Sequence, residues 1–289
     1  MRPDTTVPLR VLLASAAEQL RAAGVDSPEA DARLLIAHVL DVEPSRLFLL
    51  DAVNDEQAAS FVRLVDRRAV RVPLQHLTGQ AFFRHERLEV GPGVFVPRPE
   101  TEVMTGWAVA HLQLLCAAGQ TPQVAELCAG SGAISAAIAH EVPEAQIAAV
   151  ELSEEAADWA RGNLAGTGVD LYVEDMADAL HHLDGAVDLV IANPPYIPLD
   201  AYLSVPPEVR DHDPSVALFS GADGLDALRV VAQVAARLLR PGGVVAAEHA
   251  DVQSESAPAV FLEPGVFDSV RDHRDLAGRP RFVTAVRRS

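Results

Sequence analysis

Cysteine is scarce in this chain: Cys116 and Cys128 are the two among 289 residues. Two thiols at that spacing form neither a disulfide framework nor a metal-ligating motif, which excludes a stapled secreted scaffold and fits a reducing compartment. Long apolar runs are missing too, since no stretch reaches the ~18 uninterrupted residues of a membrane span. The N-terminus carries Asp4 and lacks an apolar core segment, so a signal peptide is not expected and a cytoplasmic, non-membrane protein is. Positive charge is in deficit: 23 Lys and Arg against 41 Asp and Glu leave −18. Without a basic arm, such a chain repels phosphate backbones and favours a basic protein as partner. Internal repeats, low-complexity tracts and any persuasive Ser-His-Asp or Cys-His arrangement are likewise lacking. What is present is a chain 49% hydrophobic, long enough for one large domain or two ordinary ones.

Residues 1–73 read as helical. Leu9, Leu12, Leu13, Ala16 and Leu20 repeat at helical spacing up to Gly24, and Ser27-Pro28-Glu29 starts a second helix with Leu34, Leu35, Val39 and Leu40 on its apolar face. Asn54 and Gln57 form a capping-box pattern before a third. Residues 74–98 read as a β-hairpin linker: Phe82-Phe83, then Leu88-Glu89-Val90, a Gly91-Pro92-Gly93 turn and Val94-Phe95-Val96. A helix follows from Pro97-Arg98-Pro99-Glu100 to about Cys116. Beyond residue 123 strands are expected near 124–128, 146–151, 170–173, 187–192, 244–248, 266–271 and 281–286, with helices near 132–141, 154–164, 225–239 and 252–261. Such alternation predicts an α/β domain over 99–289, a mainly parallel sheet with helices on both faces and an antiparallel last strand.

Asn193-Pro194-Pro195-Tyr196 is the stretch that organises the site. It follows the β-branched run Val187–Ala192, and neither proline can continue a sheet ladder. Asn193 is therefore placed at the carboxyl end of a central strand, where open α/β sheets bind ligands. The Asn193 side-chain oxygen and the proline carbonyls form a ledge of acceptors suited to a planar NH2 group, with the Tyr196 ring beside them. A strand-terminating turn with a buried tyrosine is the plainer account. A second constellation is Glu126-Leu127-Cys128-Ala129-Gly130-Ser131-Gly132, a strand, a small-residue turn and a helix. Ser135 stands where the third glycine of a G-x-G-x-x-G fingerprint begun by Gly130 and Gly132 would fall, so a pyrophosphate cradle is disfavoured. Glu151, ending the next strand, is placed to accept ribose hydroxyls, with Leu152 after it; Asp175 and Met176, past the third, are placed for an adenine. Asp211-His212-Asp213 is read as loop polarity rather than a metal site, and Glu248-His249 as a supporting edge of the site.

With these residues in view, the chain resembles the release-factor glutamine N5-methyltransferases, the HemK or PrmC family. The resemblance spans nearly the whole length. It rests on Pro73–Gly79, Val94–Glu102 (VFVPRPETE), the turn at 126–132, Asn193–Tyr196, Gly221–Leu225, Pro241–Gly243 and Glu248-His249. It implies a class I, Rossmann-like methyltransferase domain behind a small helical domain, S-adenosylmethionine as cofactor, and the Gly-Gly-Gln glutamine of a class I peptide-chain release factor as acceptor. It also implies cofactor contacts from Glu126, Cys128–Gly132, Glu151, Leu152, Asp175, Met176 and Asn193. Catalysis and substrate binding would fall to Asn193, Pro194, Pro195 and Tyr196, with Phe95 and Arg98 at the mouth. Glu at 126 and 151 and Cys at 128 depart from the commoner Asp, Asp and Gly. The expected enzyme is a monomer that needs no metal and contacts no nucleic acid. An adenine-N6 methyltransferase acting on DNA or RNA needs the same acceptors and is the competing reading; a cofactor-binding protein without catalysis is a third.

Overall fold

The computed structural model describes residues 6–263 and 265–289; Asp4 lies outside the described residues. It divides into two compact units. The first reaches Gln80 and takes in the remote segment Pro206–His212. It comprises β1 (Thr6–Pro8), α1 (Leu9–Ala22), α2 (Pro28–Leu40), β2 (Ala52–Asn54), α3 (Asp55–Ala69) and α4 (Leu74–Thr78). Asn54 and Gln57 cap α3 reciprocally, Asn54 Oδ1 accepting the Gln57 N–H at 2.9 Å and Gln57 returning the bond at 3.1 Å. Ser27 stands at the N-cap of α2 without a side-chain capping bond. Asp31, one turn in, pairs instead with buried Arg68 at 2.7 Å. The apolar face of α2 is carried by Leu35 and Ile36, both fully buried, whereas Leu34 is exposed. Glu208, from the remote segment, accepts from Arg68 at 3.0 Å and from Arg71 at 2.6 and 2.7 Å.

The second unit begins with β3 (Gln80–Phe83) and β4 (Glu86–Glu89), paired as a two-stranded sheet across a tight turn at Arg84-His85. The linker differs from expectation at both ends. Leu74–Thr78 is helical, and Val94-Phe95-Val96 forms no strand although Val94 and Val96 are fully buried. The prolines at 97 and 99 flank that segment, and prolines are poor ladder members. Then come α5 (Thr101–Ala117), β5 (Gln123–Leu127), α6 (Ala133–Glu141), β6 (Gln146–Glu151), α7 (Glu154–Asn163), β7 (Asp170–Val173) and β8 (Val187–Ala192). The short α8 (Pro207–Arg210) lies in the remote segment of the first unit. The chain closes with α9 (Asp226–Leu238), β9 (Leu239–Glu248), α10 (Ser256–Leu262), β10 (Phe267–Arg274) and β11 (Pro280–Arg287).

Among the described residues these strands make a seven-stranded sheet in the order β10-β11-β9-β8-β5-β6-β7. Pairs from β9 to β7 are parallel, and β11 runs antiparallel to both its neighbours, as the patterning predicts. β9 starts five residues before the expected 244 and takes up Pro241-Gly242-Gly243 as an irregularity. Every residue of β8 is buried, as a central strand covered on both faces requires. Its side chains alternate: Val190 and Ala192 join the apolar layer around α9 and α10, Leu189 and Ile191 the layer around α5 and α6.

Candidate active site

Register brings the candidate residues to one edge. Leu127 is level with Val150 on one side and Ala192 on the other, and Ala192 is level with Ala247. One step further along these parallel strands stand Cys128, Glu151, Asn193 and Glu248, a row at the carboxyl edge of the sheet. Glu151 is in turn level with Val173, so Asp175 follows two residues beyond that same edge.

The turn after β5 is built for close approach. Cys128, Gly130 and Gly132 take left-handed φ values of 61°, 56° and 79°. A side chain at Gly132 would meet Leu164 at 2.9 Å, so only glycine fits there. The Glu151 carboxylate accepts the Gly130 N–H and the Ser153 N–H, each at 2.8 Å, which holds it at the strand end with both oxygens oriented. Leu152 beside it is 55% exposed, an apolar surface with nothing to cover it from its own strand. Across the turn, Met176 Sδ lies 3.6 Å from Cys128 Sγ. Asp175 is exposed and bonds the Ala177 N–H at 2.9 Å.

Glu126 is placed differently from the other acids. It is 1% exposed and bonds the Ser135 N–H, at 2.9 Å, and the Ser135 hydroxyl in the first turn of α6. Burial pushes its carboxyl up to about 8, against the pull of Ser135. Its carboxyl therefore holds the turn to the helix from behind. Burial also raises the Cys128 thiol well above its ordinary range, with Glu151 next in effect, so no thiolate is available there.

Around the ledge, Asn193 donates through Nδ2 to Thr101 Oγ1 at 3.2 Å, at the start of α5. Pro194 is buried and Pro195 half-buried. The Tyr196 hydroxyl donates to Glu248 Oε1 at 3.3 Å, and burial first, then Glu248, holds that phenol protonated. Gln253 Nε2 bonds the Tyr196 and Asp223 carbonyls at 3.1 and 3.2 Å. Gly224 is packed so closely that a Cβ would come within 2.3 Å of the Tyr196 carbonyl. The Arg98 guanidinium lies 4.9 Å from the Phe95 ring centroid and donates to Asp213 at 2.7 Å.

Asp213 corrects the loop-polarity reading of Asp211-His212-Asp213. Asp211 does pair locally with Arg210, at 2.7 Å, but the Asp213 side chain is fully buried and committed to Arg98. No group of three or more metal-ligating side chains occurs among the described residues. Thr101 and Gln253 were not singled out from sequence, although Thr101 lies in the Val94–Glu102 stretch; their roles depend on strands and loops far away in the chain.

Residues 12–79 match the PrmC N-terminal domain family, and residues 91–201 the methyltransferase small domain family. The release factor glutamine methyltransferase of Streptomyces coelicolor is 49% identical over 273 residues, covering 94% of this chain and 96% of that protein. That of Mycolicibacterium smegmatis is 48% identical over 284 residues, 96% and 98% of the two chains. A 4-amino-L-phenylalanine/4-methylamino-L-phenylalanine methyltransferase of Streptomyces pristinaespiralis is 44% identical over 256 residues, 88% and 87%. With such identity sustained over almost all of both sequences, and with two family models matched in its first 201 residues, the chain belongs to the release factor glutamine methyltransferase family.

Proposed function

We propose that this protein transfers a methyl group from S-adenosylmethionine to the side-chain amide nitrogen of the glutamine in the Gly-Gly-Gln loop of a peptide-chain release factor, and so modulates translation termination. The observation that carries it is the orientation of Asn193: its Nδ2 is engaged by Thr101, so Oδ1 is left to accept. The residues at the neighbouring strand ends fit the cofactor. Left-handed Gly130 and Gly132 keep the turn open to a ligand, Glu151 presents a held carboxylate for hydroxyl groups, and Leu152 and Met176 offer apolar faces for a flat ring. When bound, S-adenosylmethionine supplies an electrophilic methyl on a sulfonium.

Asn193 Oδ1 and the Pro194 carbonyl accept the two N–H bonds of the glutamine amide and turn its nitrogen lone pair out of conjugation. Tyr196 packs on the amide plane, and Phe95 and Arg98 line the mouth. So held, the amide nitrogen would be aimed at the methyl carbon that the cofactor's sulfonium would give up, and the methylated nitrogen would then release one proton to water. No strong base is needed, because an alkylated amide nitrogen is a strong acid. Orientation of this kind contributes up to roughly 7–11 kcal/mol.

A net charge of −18 supports a protein acceptor over nucleic acid, and we take the enzyme to act as a cytoplasmic monomer. No helix among the described residues is long and apolar enough to cross a membrane. The adenine-N6 alternative receives no support from these relatives. The test is transfer of labelled methyl to unmodified release factor, with a Gln→Ala control in its Gly-Gly-Gln loop, and with DNA, RNA and free 4-amino-L-phenylalanine as rival acceptors. Label in the wild-type factor alone is expected; label in a rival acceptor and none in the factor would overturn the proposal.

A further inference from the structure

The hairpin between β10 and β11 projects from the same edge of the sheet as the ledge. Phe282 of β11 is level with Glu248, and the His249 N–H donates to the Arg281 carbonyl at 2.9 Å. Because β11 runs antiparallel to β9, the chain before Phe282 lies past the carboxyl ends of the parallel strands. Arg274 is level with Pro280, so residues 275–279 form the tip, which starts about 7 Å beyond Glu248 at ~3.4 Å per residue. Asp275 holds this tip in one shape. Its side chain, 4% exposed, accepts the Ala277 N–H at 2.9 Å, the Arg279 N–H at 3.0 Å and the Arg281 guanidinium at 3.2 and 3.3 Å. The Asp275 N–H closes the loop on the Arg279 carbonyl at 2.8 Å.

Leu276, in this clamped turn, is 96% exposed, and Val252, in the turn that leaves the same edge after β9, is 83% exposed. A single bare leucine is ordinary on a surface. One held among unpaired arginines beside the ledge has the anatomy of a protein contact, an apolar centre with a polar rim. Charge is reversed here as well: Arg271, Arg274 and Arg279 are exposed, and none has an ion-pair partner among the described residues. The acids between them are spent elsewhere, Asp272 on His249 at 3.0 Å and Asp275 on Arg281. In a chain of net charge −18, such a cationic tip is where carboxylates can approach. We propose that the hairpin tip docks the acceptor protein, Leu276 entering an apolar recess and Arg274 and Arg279 meeting carboxylates on the surface around the glutamine loop. The inference rests on the proposed function and names the chemistry of the acceptor surface. An RNA backbone would satisfy the arginines but offers Leu276 nothing, and a free amino acid in the site is too small to reach the tip.

The experiment measures kcat and KM for unmodified release factor with the full-length wild type, Leu276→Ser, the charge reversal Arg274→Glu with Arg279→Glu, and the charge-keeping Arg274→Lys with Arg279→Lys. Dissociation constants for release factor and for a single-stranded RNA are measured alongside, and cofactor affinity by calorimetry checks that each variant is folded. Leu276→Ser should raise KM about 10-fold, and the charge reversal should raise it further, with kcat and cofactor affinity unchanged. The lysine variant should stay near wild type, and the charge reversal should remove the rise of KM with salt. An unchanged KM in both Leu276→Ser and the charge reversal would overturn the proposal, as would lost RNA binding with release-factor binding intact. A fall in kcat at constant KM would overturn it too, since that marks a disturbed site instead of a lost contact. Absence of transfer by the wild type counts against the proposed function instead, and the dissociation constants then still read the hairpin.

Discussion

Removing the Arg98 guanidinium should destabilise the unit that carries the site by about 3 kcal/mol at pH 8, and the loss should grow from pH 6 upward. The Asp213 side chain is fully buried and takes its ion pair from Arg98 at 2.7 Å, while Arg98 remains 30% exposed. Breaking a buried pair from one side costs roughly 3–5 kcal/mol, because the other charge is left stranded; the exposure of Arg98 places this pair at the lower end. Burial already raises the Asp213 carboxyl to about 6 against the pull of Arg98, so in Arg98→Ala it rises further. A carboxyl raised by folding resists ionisation in the folded state. Its contribution is complete below the ordinary value of 3.8 and is lost as pH climbs through the folded value. The mutant penalty should therefore be small at pH 5, where Asp213 is neutral in both proteins, and grow by at most about 1.4 kcal/mol per pH unit above 6. Denaturant unfolding followed by tryptophan fluorescence measures it, since Trp107 and Trp159 both lie in this unit. Asp213→Asn in the Arg98→Ala background should recover most of the loss at pH 8. A penalty equal at pH 5 and pH 8, or below about 0.5 kcal/mol throughout, would refute the reasoning.

Asn193→Ala should lower single-turnover methyl transfer by about 100-fold while cofactor binding by calorimetry persists, because an acceptor of the amide is removed and the turn after β5 is not; equal turnover would remove Asn193 from its role. Cys128 holds a left-handed φ of 61° that costs an L side chain roughly 1–2 kcal/mol. Cys128→Gly should stabilise the fold by up to about 1 kcal/mol after the looser unfolded chain is counted, read as a higher thermal midpoint, and a fall would show that the Met176 sulfur contact outweighs the strain. Glu126, raised by burial to about 8, contributes fully below 4.5 and progressively less as pH rises through 8. Thermal melts of the cofactor-free protein should accordingly drop between about pH 5 and 8 and level off above, and Glu126→Gln should flatten the drop.

The legible part of this molecule was local. Strand edges, the helix caps and the turn glycines follow from neighbours in sequence, since a proline that cannot donate or a left-handed glycine acts within a few residues. The alternation of strand and helix beyond residue 123 likewise announced the parallel sheet, because a βαβ unit buries its strands wherever it occurs. Less legible were Leu34, which shares helical spacing with buried neighbours yet faces solvent, and Val94–Val96, whose burial without pairing looks the same in sequence as a strand.

What the sequence by itself determined, then, was where each strand ends and which chemistry stands there: Glu126 and Cys128, Glu151, Asn193 to Tyr196, Glu248. What the tertiary structure alone decided was which of these meet. The parallel register that brings Glu248 level with Asn193 joins strands separated by more than forty residues, and the alternating pattern of a buried strand carries no record of its partner. Thr101 reaches Asn193 across 92 positions and Arg98 reaches Asp213 across 115. Their bonds form because a buried donor or acceptor left unpaired is costly. That cost is set by surroundings that exist only once the chain has folded.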